Sequence, residues 1–104
     1  MIFACSVFCR HFFIFAFMII LKTMEELRLM RKSAQLVSKT LGMVAKEIKP
    51  GVTTNFIDTI AAEYIRDHGG EPAFLGMYGF PKNLCISPNS EVVHGIPNDK
   101  PLEN

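Results

Sequence analysis

An α+β domain is what the sequence predicts, and three observations predict it. Residues 23–49 and 52–68 repeat apolar side chains at helical spacing. A short apolar run, a turn and a second apolar run follow at 84–93, in the manner of two brief strands. Glycine and proline gather between these stretches, at Pro50-Gly51, Gly69-Gly70 and 76–81, where the chain has to change direction. With 104 residues there is material for at most one small domain.

The first helix has a start signal and a face. Thr23 and Glu26 stand at capping-box spacing, and Glu25 and Glu26 place acids at the positive end of the helix dipole. Leu27, Met30, Ala34, Val37, Leu41, Val44 and Ile48 recur three and four apart as one stripe, which is expected to face the core. A coiled-coil seam would show the same spacing, but Pro50-Gly51 ends the pattern early for one. Arg28, Arg31, Lys32, Gln35, Lys39 and Lys46 cover the other side as a solvated face, with docking to something acidic as the alternative.

The second helix can be capped by Thr53 or Thr54 and buries Phe56, Ile57, Ile60, Ala61, Tyr64 and Ile65. Gly69-Gly70 ends it, since glycine accepts the left-handed conformation common at helix C-termini. His68, just before, reads as a C-terminal cap rather than a ligand. Beyond it, Phe74, Leu75, Met77, Tyr78 and Phe80 lie among glycines and Pro81, so large apolar groups are displayed from an irregular loop. Such a loop either walls an apolar pocket or folds back onto the helices.

Chemistry is expected at 83–97. Leu84-Cys85-Ile86 and Glu91-Val92-Val93 read as strands about a Pro88-Asn89-Ser90 turn, and His94-Gly95 stands where the second ends. A histidine followed by glycine has open backbone beside it and room for a ligand, although a lone histidine also serves as a structural residue.

Charge and cysteine content exclude several classes. The formal net charge is +1 with both signs interspersed, so nothing points to a nucleic-acid surface. Cys5, Cys9 and Cys85 form no metal-ligand pattern, and Cys85 reads as a small buried thiol in a reducing compartment. Residues 1–21 are almost wholly apolar, with six phenylalanines, but Arg10 falls in the middle, where a membrane span tolerates charge poorly. A signal peptide would need a small-residue cleavage site, which 22–25 do not offer. The preferred reading is a spurious upstream extension over 1–17, with the start at Met18 and the domain at 18–104. The polar connector at 100–104 has no element after it and reads as a point of truncation.

From about Met18 onward the sequence resembles the N-terminal part of type I methionine aminopeptidases. The blocks that carry the resemblance are Ile48-Lys49-Pro50-Gly51-Val52-Thr53-Thr54, Tyr64-Ile65, Gly79-Phe80-Pro81-Lys82, Cys85-Ile86-Ser87 with Asn89, and Val92-Val93-His94-Gly95-Ile96-Pro97. The resemblance implies the N-terminal half of a pita-bread fold, two helices packed on a curved antiparallel sheet. It implies a cytoplasmic, monomeric enzyme that removes initiator methionine from nascent polypeptides, with the ribosome as a further partner. Two divalent metal ions of the Co, Mn, Fe or Zn type would share a bridging water that attacks the scissile carbonyl. By resemblance His94 is catalytic and contacts substrate near the scissile amide, while Phe74, Met77, Phe80 and Cys85 wall the methionine pocket. Most relatives carry tyrosine where this chain has Met77. The family's metal ligands correspond to no position of this sequence, so no metal ligand is assigned and the 104 residues alone are expected to bind no metal and to be inactive. The alternatives are a non-catalytic binding module of the same fold, or a protein tethered to a membrane through 1–21.

Overall fold

The computed structural model describes residues 19–103. The apolar leader at 1–17, and with it Cys5 and Cys9, lies outside the described residues. Contacts partition the chain into two units, Met1–Met30 and Arg31–Asn104, with the division inside the first helix.

In the first unit, helix α1 (Met24–Glu47) begins as its sequence predicts. The Glu26 amide donates to Thr23 Oγ1 at 3.2 Å, and Glu26 Oε2 accepts from the Thr23 amide at 2.7 Å. Two amides that the first turn would otherwise leave without partners are thereby satisfied.

In the second unit, helix α2 (Thr54–Asp67) is capped by Thr53, whose hydroxyl accepts from the Phe56 amide at 3.2 Å. At its other end the Gly70 amide reaches Ile65 O and the Gly69 amide reaches Arg66 O, both at 2.9 Å. This is the Schellman pattern, and Gly69 at φ 74° supplies the left-handed turn that it needs. His68 is the capping residue; its Nδ1–H donates to Tyr64 O at 2.8 Å and its ring stacks on Tyr64 at 4.1 Å.

The core is small and centred on α2. Ile57, Ala61 and Val44 are buried together, with Met43, Val52, Leu84, Ile86 and Leu102 packed around them. Ala61 and Ala62 are closed to solvent, and their size lets the neighbouring chain approach closely. Gly70 serves the same end, since a Cβ there would stand 2.6 Å from Leu36 Cδ2. Phe56, expected on the buried face of α2, is instead 47% exposed, and Thr54 and Asp58 are buried in the core-facing line.

Two sequence expectations are corrected. The stripe on α1 does not face the core: Leu27, Met30, Val37, Leu41 and Ile48 are all exposed, and only Val44 of that series is buried. The line that α1 turns inward has Thr40 and Val44 buried and Leu36 and Met43 half-buried, and is rotated by about one residue step (~100°) from the expected stripe. Thr40 can lie there because its hydroxyl donates to Leu36 O at 2.9 Å. The runs at 84–86 and 91–93 are not strands either. One backbone bond joins their arms, from the Ile86 amide to Gly95 O at 2.9 Å, and Pro88 has no amide to extend a ladder. Among the described residues there is no strand, and one isolated antiparallel bridge joins Thr53 and Pro101.

Candidate functional site

Residues 83–101 form an arm, and α2 holds it at two points. Near the arm's start, Asp58 accepts from the Leu84 amide at 2.7 Å and from Asn83 Nδ2 at 2.8 Å, and Arg66 donates to Asn83 Oδ1 at 3.1 Å. Near its end, Thr54 Oγ1 donates to Asn98 O at 3.1 Å and accepts from the Asn98 amide at 2.8 Å. The Asn55 amide also donates to Asn98 O, and Asn55 Nδ2 donates to Asp99 Oδ1 at 2.7 Å. Each anchor is a buried polar group on α2 taking up backbone that no ladder satisfies.

Between the anchors the arm folds on itself. Residues 88–91 close a turn through the Glu91 amide and Pro88 O at 3.1 Å, with Asn89 at φ 54°. His94 is also in the left-handed region, at φ 57°, a conformation that costs an ordinary side chain about 1–2 kcal/mol. Gly95 is required for close approach rather than for its dihedral: a Cβ there would run into Ile86 O and the Glu91 carboxylate. The Gly95 amide donates to Ser87 Oγ at 3.0 Å. These contacts bring His94 back beside Cys85, with Sγ 3.8 Å from Nδ1.

The other expected site residues lie in the preceding loop. Met77–Gly79 is a single 3₁₀ turn, entered through Gly76 at φ 79°. The Met77 amide donates to Phe74 O, the Phe80 amide to Met77 O and the Gly76 amide to Phe80 O, which draws Phe74 and Phe80 to a ring separation of 6.1 Å. Phe74 and Met77 remain 43% and 47% exposed, so this loop is not buried core. The five expected residues therefore form two groups, Phe74, Met77 and Phe80 in the loop and Cys85 with His94 on the arm. A cleft of about 190 Å³ lies elsewhere, between the turn at 88–91 and residues 98–103, and none of the five lines it.

Among the described residues, no group of three or more His, Cys, Asp or Glu side chains converges where an ion could be held.

The comparisons bear on this geometry. Residues 28–104 match the model of metallopeptidase family M24. The chain belongs to this family. It is 46% identical over 87 residues to a methionine aminopeptidase of Clostridium perfringens, covering 84% of this chain and 35% of that protein. It is 42% identical over 87 residues to methionine aminopeptidase 1 of Bacillus subtilis, with the same shares covered. Among solved structures it is similar to the methionine aminopeptidase of Rickettsia prowazekii, with a TM-score of 0.81 and 42% identity over 84% of this chain and 35% of that one. The chain thus spans about a third of the length of these relatives, and its fold matches that third of a methionine aminopeptidase. Among the described residues no helix is long and apolar enough to cross a membrane.

Asp58 and Asn98, and Thr54 as an anchor of the arm rather than a helix cap, are what sequence reading did not find. Their partners stand 25 to 44 residues away along the chain. The available signal was an acid three residues before Ala61 and seven before Ile65, a spacing that puts it on their side of the helix.

Proposed function

We propose that these residues are the substrate-recognition part of a methionine aminopeptidase, which removes the initiator methionine from nascent polypeptides in the cytoplasm. His94 is the residue that contacts substrate beside the scissile amide and steadies the transition state. Phe74, Met77, Phe80 and Cys85 wall the pocket for the methionine side chain, to which soft and apolar groups are suited. The curved sheet is completed by chain of the kind that makes up the rest of the relatives' length, and the two divalent ions of the catalytic centre belong there. The protein acts as a monomer, and the ribosome is the place where it meets its substrates.

The observation that carries this reading is identity of 42–46% with named methionine aminopeptidases over the stretch that holds the loop and the Cys85–His94 pair. A chimaera tests it, in which residues 19–103 replace the matching stretch of the Clostridium perfringens protein. Methionine release from a Met-Ala-Ser peptide is expected, and His94→Ala should lower kcat by roughly 10²-fold. An inactive folded chimaera, or one indifferent to His94→Ala, contradicts the reading. The 104-residue chain alone is expected to release no methionine with Co, Mn, Fe or Zn added.

A further inference from the structure

Asp58 is 4% exposed, and no cation contacts it among the described residues. A buried carboxylate without a counter-charge persists where hydrogen-bond donors replace its water. Here the donors are the Leu84 amide and the Asn83 side chain, with Arg66 holding the far side of Asn83. Leu84 immediately precedes Cys85, and Ile86, the next residue, carries the bond to Gly95 that returns His94 to the thiol. One carboxylate therefore fixes the root of the short segment on which the pair depends.

We propose that Asp58 is the positioning residue for the Cys85–His94 pair: by taking up the Leu84 amide it sets where Cys85 stands, and so what His94 faces. The proposal rests on reading this pair as substrate-facing, but its test reads thiol chemistry rather than methionine release, so the two can fail separately. An Asp58 variant would lower activity through misplacement of His94 and Cys85, since Asp58 itself touches neither side chain.

The test is a double-mutant cycle on the 104-residue chain, with the rate of Cys85 carbamidomethylation followed by peptide mass spectrometry, which separates Cys85 from Cys5 and Cys9. His94→Ala is expected to slow the reaction on the order of threefold, because it removes the imidazole that stands 3.8 Å from the thiol. In an Asp58→Ala background that effect should vanish, and Asp58→Asn, which keeps an oxygen for the Leu84 amide, should restore it. Asp58→Leu keeps the shape and removes both oxygens; whichever of the Ala and Leu variants retains the helical circular dichroism signal carries the test. Thr54→Val loosens the other anchor and should leave the His94 effect intact. The proposal is overturned if His94→Ala has no effect on the rate to begin with, or if its effect survives loss of Asp58. It is equally overturned if Asp58→Asn does not restore the effect, or if Thr54→Val abolishes it as Asp58→Ala does.

Discussion

Helix α1 and the arm at 83–101 are opposites. The helix is regular, amphipathic and plain in the sequence, yet its apolar stripe faces solvent, with Leu41 63% and Val37 54% exposed. The arm is irregular and has almost no ladder, yet it is fixed by buried polar groups of α2 at both ends. Regularity along the chain is therefore no measure of how firmly a segment is held. What holds a segment is a partner for its backbone or its apolar surface, and such partners lie far away in sequence.

Substitutions can break or sharpen this contrast. The largest effect is expected in the core of α2. Ile57→Ala should cost about 2–4 kcal/mol, because a nearly closed side chain leaves a cavity. Leu41→Ala on the α1 stripe should stay within about 0.5 kcal/mol. Urea-unfolding midpoints decide between them, and equal losses would mean that the stripe is core after all.

Thr54→Val comes next. It removes a hydroxyl that both donates to and accepts from Asn98 while keeping the shape, and should cost roughly 1–3 kcal/mol by the same measurement. No loss would show that the far anchor is not formed. Thr23→Ala removes the capping box and should cost about 1 kcal/mol, read as lower helicity by circular dichroism. Smallest in stability is Leu41→Lys, a change at an exposed position, but it should reduce light scattering of the isolated chain, since an uncovered apolar face associates. Unchanged scattering would mean that the stripe does not drive association.

How much of this was legible in the sequence follows from the range of each cause. Thr23 with Glu26, Thr53 with Phe56, and the Gly69-Gly70 stop are interactions within one or two turns, and the sequence shows them. The apolar stripe on α1 was legible as a pattern, but the period says only that a face exists, not what meets it. The runs at 84–86 and 91–93 have strand composition without the backbone partners that make a strand, so their local preference was overridden. His94 and Cys85 were named from motif and resemblance, and the structure puts them 3.8 Å apart. The left-handed backbone of His94 was not legible, because it follows from the Ile86–Gly95 bond and the close approach at Gly95. Asp58 was hidden by its distance along the chain, 26 positions before Leu84.

The most direct test of the account is native-state hydrogen exchange on the chain. If α2 holds the arm, the amides of Leu84, Ile86 and Asn98 exchange slowly, together with the buried centre of α2, while those of Asn89, Ser90, Val92 and Val93 between the anchors exchange quickly. If all of 83–101 exchanges at the rate of an unprotected chain while α1 and α2 remain protected, the arm is not anchored, and the placement of the site by α2 is wrong.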